Sequence, residues 1–386
     1  MIKKAIEKLK TYEYKYLDLR ILLFVGILCT IGVLTITSAS DESYGQKQVI
    51  GIAISCVIMI ALALIDYHFT LRFYWVMYFI NLVLLLVVKF FGKTSLGAQR
   101  WIKIGGFQIQ PSEFTKIFLI LFFAKFIFKY KDRLNTLRFL AICAVLLAIP
   151  AVLILNQPDL STTIVVILVF CAIMFLSGLN YKIIGGIVAV AIPLMVVLVY
   201  LIMQPNQKII KPYQYNRLVG FYDEDNADAE EWRYQQKNSI LAIGSGGLYG
   251  KGLNNNTITS VKNGNYLDEA HTDFIFTIVG EELGFVGTVS VVLLMLLTII
   301  ECFIIGSRAP DLAGQLVCYG LGSLLGIQSL INMGVVTMLL PNTGLTLPFV
   351  SSGVSSLLSL FSCLGIVLNI SIQRNRNHYN EEDTLL

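Results

Sequence analysis

Asp273, Glu281 and Glu282 lie within GNYLDEAHTDFIFTIVGEELGFVG, residues 264–287, where a long polar segment runs into an apolar helix. Charged groups at the edge of an apolar run are costly, so they call for a compensating role. Carboxylates held there suit proton transfer from a bound substrate. A second constellation is GAQRWIKIGGFQIQPSEFTK, residues 97–116. Pro111 suits the first helical position and Glu113 the first turn, where the helix dipole favours an anion. Lys116 follows Glu113 by three residues and so shares its face. Taken alone, the two read as an ion pair at a helix start, with Lys116 snorkelling to the headgroups. Arg100 and Lys103, beside Trp101 on a short amphipathic stretch, add the cations that would attract an anionic lipid diphosphate.

Two further motifs offer both structural and binding roles. Gln157-Pro158-Asp159, with Ser161, Thr162 and Thr163 behind it, reads as a loop whose Asp or Ser caps a helix. Pro341-Asn342-Thr343-Gly344 and the stretch from Pro348 to Gly353, which includes Ser351, are small and hydroxylated. Such residues allow close helix packing and equally offer donors to a sugar.

The elements that position these groups are membrane helices. With 56% hydrophobic and 14% charged residues, the chain is far more apolar than a soluble domain. The expected fold is all-α and polytopic, with about ten spans near residues 19–39, 48–66, 71–91, 112–130, 138–155, 160–178, 182–203, 274–305, 313–340 and 347–371. The domain plan is a tail at 1–18, spans one to seven over 19–203, a large extracellular loop at 204–272, three spans over 273–372 and a tail at 373–386. With a cytoplasmic amino terminus, the short outer loops keep only Lys47, Lys93, Arg100 and Lys103, so the positive-inside rule puts both termini in the cytoplasm. The net charge of +4 reflects that asymmetry and gives no reason to expect nucleic acid. Polar and titratable groups gather at the outer face, while the inner halves of the spans look apolar.

All seven cysteines fall inside apolar spans, which excludes a disulfide framework and a thiolate metal site. In the loop, Trp232, Tyr213, Tyr215, Tyr222 and Tyr234 are candidate interfacial anchors. ILAIGSGGLYGKGL, residues 240–253, mixes apolar residues with glycine clusters, as a tight packed turn would. A phosphate-loop reading fails there, because Ser245 stands where the first Gly is needed and Gly252 where Ser or Thr is needed. From Asp273 to Ile305 is 33 residues, about 50 Å, against a hydrocarbon core of about 30 Å. This excess length places Asp273 two or three turns above the acyl region and Glu281 and Glu282 near the headgroups, with glycines 280, 284 and 287 letting neighbours approach closely. Three carboxylates near Lys116 and Arg100 would form an outward-facing charged cavity.

QPSEFTK at 110–116, NQPDLSTT at 156–163, PYQYNRLVGFYD at 212–223, the glycine run at 244–252, EAHTDFIFTIVGEELGFVG at 269–287 and LLPNTGLTLPFVSSG at 339–353 together resemble the SEDS family of RodA, FtsW and SpoVE. The resemblance spans nearly the whole chain in order. It implies a ten-span peptidoglycan glycosyltransferase acting on lipid II at the outer face of the bacterial cytoplasmic membrane, beside a class B penicillin-binding protein that supplies the transpeptidase. It further implies that the family's essential acid falls on Asp273, its cavity pair on Glu113 and Lys116, its RW position on Arg100 and Trp101, and its QPD acid on Asp159. The chain departs from the family at Ser351-Ser352-Gly353-Val354, where many members read SYGG. The short amino-terminal tail and the PNTGL stretch look RodA-like.

The chemistry implied is transfer of a glycan from its undecaprenyl diphosphate to the 4-hydroxyl of an incoming N-acetylglucosamine. A carboxylate accepting the hydroxyl proton suits Asp273. Arg100, Lys116 or a divalent cation, magnesium or manganese, would stabilise the leaving diphosphate. No cluster of histidines and carboxylates marks a dedicated metal site in the sequence. Glu281, Glu282 and Ser351 complete the candidate substrate contacts. The rival reading is a lipid II flippase, which needs a polar route across the whole bilayer.

Overall fold

The computed structural model describes residues 14–40, 42–95, 98–104, 107–204, 215–216, 221, 230–254, 260, 267 and 270–374. Its helices are α1 (Leu19–Ala39), α2 (Glu42–Leu64), the short α3 (Tyr67–Arg72), α4 (Tyr74–Phe91), α5 (Pro111–Lys129), α6 (Leu137–Asn156), α7 (Leu160–Leu176), α8 (Tyr181–Ile202), α9 (Glu230–Ser245), α10 (Ile275–Ser307), α11 (Leu312–Val336) and α12 (Val354–Ile372). Eight of these are long and apolar enough to cross a membrane. Two more complete the expected set: α7, at 17 residues, and α5, whose 19 residues include Glu113, Lys116, Lys125 and Lys129. The protein is a nearly all-helical polytopic membrane protein.

Side-chain caps mark where several helices begin. Asp18 accepts from the amides of Arg20 and Ile21, Thr136 from Phe139, Asp159 from Thr162 and Asn180 from Lys182, so orphan amides at the starts of α1, α6, α7 and α8 are satisfied without water. Pro111 stands at the start of α5, as its missing N–H and fixed φ allow.

Burial separates centre from rim. In α12, 89% of the spanning window is buried, in α11 61%, and in α8 none, which makes α8 a lipid-facing helix. The α5 helix is buried along almost its whole length despite its charges. Gly365 of α12 lies where a Cβ would collide with the carbonyl of Met59, so α2 and α12 touch backbone to backbone. Tyr74 and Tyr78 of α4 pack on Phe122 of α5, and Phe126 stacks on Phe139 of α6 at 5.5 Å.

The sequence pattern did not anticipate strands. Lys93–Ser95 (β1), Ala98–Ile104 (β2) and Phe107–Ile109 (β3) form an antiparallel sheet in the order β1-β2-β3, pairing Lys93 with Trp101 and Ile102 with Ile109. The amphipathic stretch carrying Arg100, Trp101 and Lys103 is therefore β2, and alternation along it is the period-2 pattern of a strand. Tyr213, Tyr222 and the side chain of Trp232 lie outside the described residues; Tyr234, on α9, is half-exposed.

Charged groups are not confined to one end of the bundle. At the end opposite Asp273, Arg20 bridges Asp18 at 3.1 Å and Glu301 at 2.7 Å. Nearby in the connections between helices, His68 meets Asp66 Oδ1 through Nδ1 at 3.0 Å and Asp311 Oδ2 through Nε2 at 3.1 Å. Asp66 also caps α3, and Asp311 caps α11 and accepts from the Tyr67 hydroxyl. The expectation that titratable groups gather at the outer face is thus corrected: helices that start at the opposite end also need caps, and Asp18, Asp66 and Asp311 supply them. They tie neighbouring helix ends together.

Only the imidazolium can donate from both nitrogens, so two carboxylate partners favour the charged ring. Burial opposes the charge on His68, yet the hydrogen bonds to Asp311 and Asp66 carry its pKa above the ordinary value. For Asp311, burial pushes upward, but the bond from His68 leads the effects that hold it below the usual carboxylate range. Because the folded protein holds the His68 proton more tightly than the unfolded chain, its contribution to stability is complete below about pH 6.5 and is lost as pH rises through the raised folded value. Thermal unfolding in detergent is expected to show stability decreasing above about pH 6.5. In His68→Gln the curve should lose that component; an unchanged pH dependence would contradict the pairing.

Candidate active site

The site is built where α5 and α11 meet the chain just before α10 and the loop that precedes α12. Lys116, one turn into α5, gives its ammonium to Glu113 Oε1 at 2.8 Å and to Gln328 Oε1 of α11 at 2.9 Å. Lys116 is only 2% exposed, so it is turned into the bundle rather than snorkelling to headgroups. An ammonium removed from water needs fixed acceptors, and one ionised partner with one amide oxygen provides them. The second carboxylate oxygen of Glu113 is buried and has no hydrogen-bond partner among the described residues.

Gln328 leads from Lys116 to the chain around Asp273. Its Nε2 donates to the Thr346 carbonyl at 2.9 Å and the Thr346 hydroxyl at 3.1 Å. Four residues on, Asn332 donates to the Asp273 carbonyl at 2.9 Å and the Leu345 carbonyl at 2.6 Å. Ser351 Oγ gives its proton to the Thr272 carbonyl at 2.7 Å and accepts from the Leu347 amide at 2.7 Å. The Ser352 amide donates to the His271 carbonyl at 3.0 Å, and Gln48 of α2 donates to the Ser351 carbonyl at 3.1 Å. The main chain of residues 271–273 is consequently clamped from two sides just before α10 begins, while Asp273 itself remains partly exposed.

Arg100 and Asp159 form a neighbouring unit. From β2, Arg100 donates through Nε to the Gln157 carbonyl at 3.2 Å and through a terminal nitrogen to the Pro158 carbonyl, with Asp159 Oδ1 at 3.9 Å. Asp159 Oδ2 accepts from Gln110 Nε2 and Ser112 Oγ, both at 3.2 Å, at the start of α5. Trp101, next along the strand, is half-buried.

Glu281 and Glu282 serve a different purpose. The α10 helix breaks at Gly284, whose φ of 66° and ψ of −160° interrupt the hydrogen-bond ladder. The loop after α9 repairs the break. Lys251 and Gly252 amides donate to the carbonyls of Glu281 and Glu282 at 2.9 and 3.0 Å, and the amides of Phe285 and Val286 donate to Gly247 and Leu248 at 2.9 and 3.2 Å. Lys251 Nζ then pairs with the Glu281 carboxylate at 2.8 Å, and the Glu282 carboxylate accepts from Ser38 of α1. Both glutamates are 1% exposed, so they brace the broken helix rather than line an open cavity. This explains the length of α10: a segment at 275–283 sits above a separate stretch at 285–307 that is long enough to span the bilayer. It also explains the glycine run, since a Cβ at Gly246 or Gly250 would collide with the carbonyls of Gly280 or Glu282. Gly280 and Gly284 meet α9 and its loop, not a neighbouring span.

A sequence profile described as a cell cycle protein, FtsW, RodA and SpoVE, matches residues 18–376. The chain belongs to this family. A relative in Trichlorobacter lovleyi named probable peptidoglycan glycosyltransferase FtsW is 35% identical, over 94% of this chain and 95% of its own. Peptidoglycan glycosyltransferase MrdB of Escherichia coli K12 is 36% identical, over 95% of this chain and 96% of its own, so identity favours neither branch. Among solved structures, a chain from a study of the structural coordination of polymerization and crosslinking by a peptidoglycan synthase complex aligns with TM-score 0.77 and 26% identity, over 95% of this chain and 99% of that one. The rod shape determining protein RodA of Thermus thermophilus aligns with TM-score 0.67 and 25% identity over the same shares.

Of the residues expected in the site, Glu113, Lys116, Asp273 and Ser351 are joined through one network, and Arg100 and Asp159 adjoin it at the start of α5. Sequence reasoning missed Gln328, Asn332, Gln48 and Ser38. The spacing of Gln328 and Asn332, two amides at i and i+4 in an apolar run, was the available sign. The glycine staple makes a direct prediction. Gly250→Ala, at a φ of 80° and against backbone, is expected to lower stability by roughly 1–3 kcal/mol in thermal unfolding. Gly244→Ala, helical and with open space around it, should leave stability equal or slightly higher; equal effects at both positions would contradict the staple.

Proposed function

We propose that this chain polymerises lipid II into glycan strands at the outer face of the bacterial cytoplasmic membrane, with Asp273 as the general base. As a member of its family the chain is a peptidoglycan glycosyltransferase. The observation that carries the site assignment is the clamping of residues 271–273 by Ser351, Ser352 and Asn332, which holds the backbone of the partly exposed Asp273 one turn of α11 from the residue that holds Lys116. A base is effective when its position is fixed before substrate arrives.

In this reading the Asp273 carboxylate takes the proton of the acceptor 4-hydroxyl as its oxygen attacks the anomeric carbon of the donor. The bond to the diphosphate breaks, and the electron pair leaves with the phosphate oxygen. Single displacement inverts the anomeric centre. Lys116 has used two of its three N–H groups within the protein, leaving one to donate to a diphosphate oxygen. Arg100 is held by the carbonyls of Gln157 and Pro158, which orients the guanidinium at the same end of the bundle. Among the described residues no three His, Cys, Asp or Glu side chains gather to hold a metal, so a magnesium or manganese ion would depend on diphosphate oxygens for much of its coordination. It would supply charge neutralisation of the leaving group. Undecaprenyl diphosphate is the product on the lipid side, and both termini lie in the cytoplasm.

The chain's working partner is a class B penicillin-binding protein that crosslinks the strands. The likeness to a chain of a complex that coordinates polymerization with crosslinking supports this pairing. The test is purified chain with labelled lipid II in detergent, with and without that partner. Glycan polymer resolved by gel is the expected result, increased by the partner. Lipid II scrambled across vesicles without polymer in either condition would instead establish a flippase.

A further inference from the structure

We infer that Gln328 and Asn332 are positioning residues of this site, a two-amide bracket on α11 that fixes the Lys116 ammonium relative to the main chain of Asp273. The inference rests on the functional reading above and adds residues to which that reading gives no role.

Their amide orientations follow from chemistry alone. A carbonyl only accepts, so the Gln328 nitrogen must face the Thr346 carbonyl, and an ammonium only donates, so the Gln328 oxygen must face Lys116. The two contacts demand the same orientation. Asn332 is equally determined, because its nitrogen reaches two carbonyls, those of Asp273 and Leu345. Both residues are fully buried: Gln328 has both ends of its amide paired, and Asn332 has its nitrogen held by two carbonyls while its oxygen has no hydrogen-bond partner among the described residues.

The four-residue step between them advances about 6 Å along the helix. One turn of α11 therefore carries the cationic and the carboxylate parts of the site on a single rigid element. Leu345 and Thr346, adjacent in sequence, brace both amides from the opposite side. Lys116 enters from α5 and Asp273 from the chain just before α10, and the bracket ties both segments to one turn of α11. A displacement of about 1 Å in such a constellation lowers turnover by as much as a hundredfold.

The test is a double-mutant cycle on full-length chain with its penicillin-binding partner, using lipid II as substrate. Gln328→Met removes the acceptor while keeping the volume. It is expected to lower kcat by about tenfold or more with KM changed less than about threefold, since positioning acts on turnover. In a Lys116→Met background the same change should cost less than about twofold, because Gln328 acts through the ammonium. Gln328→Glu keeps an acceptor against Lys116, and its kcat should stay within about threefold of the unmodified chain; this comparison decides the matter if Gln328→Met does not fold. Thermal unfolding of each variant separates lost turnover from lost protein. Independent, multiplicative losses at Gln328 and Lys116, or equal impairment of the Met and Glu variants at wild-type stability, would overturn the bracket while leaving the polymerase reading intact. Absence of polymer from the unmodified complex would overturn that reading as well.

Discussion

An ammonium buried in an apolar bundle persists only where acceptors are already in place around it. Lys116 meets this condition with one carboxylate from its own helix and one amide from α11. Removing one member of a buried ion pair commonly costs about 3–5 kcal/mol, so the contact constrains everything that brings those atoms together. It requires α5 to run through the centre of the molecule and α11 to lie against it. It also requires the 345–346 chain to hold the Gln328 amide in the one orientation that serves the lysine. The placement of Asp273 follows from the same helix, one turn further on.

A second constraint acts on the backbone. Breaking α10 at Gly284 frees carbonyls and amides that lipid cannot satisfy, so a companion strand of chain has to supply partners. The loop at 246–252 does so amide for carbonyl, and only residues without a Cβ allow it to approach. The break releases the upper part of α10 from the length demanded by the bilayer. That segment is then free to serve the site, under the clamp of Ser351 and Ser352. Sequence features that look unrelated, a glycine run, a pair of glutamates and an overlong helix, thus belong to one structural solution.

Much of this was legible in the sequence because its signals are local. Hydrophobic runs set the helices, and the three-residue spacing of Glu113 and Lys116 set their shared face. The Pro-Asp turn announced the cap at Asp159. Features carried by long-range contacts were not legible. Nothing near Glu281 and Glu282 in the chain points to Lys251 or Ser38, so two bracing carboxylates resemble substrate ligands. The hydroxyl of Ser351 reads as a sugar donor until its bond to Thr272 is seen. The strand at Arg100 was obscured because its alternation is short and its partners are only three residues each. Gln328 and Asn332 were hidden in plain view within α11, where amides in an apolar helix pass as packing until their partners are known.

The central claim is that the carboxylate at Asp273 takes the proton of the sugar nucleophile on a backbone the surrounding loops hold still. The most direct measurement is the single-turnover rate of glycosyl transfer from lipid II by Asp273→Asn, compared with the unmodified chain at matched folding and partner occupancy. The account predicts a rate lower by roughly two to four decades, with lipid II binding retained. Transfer at the unmodified rate would contradict it.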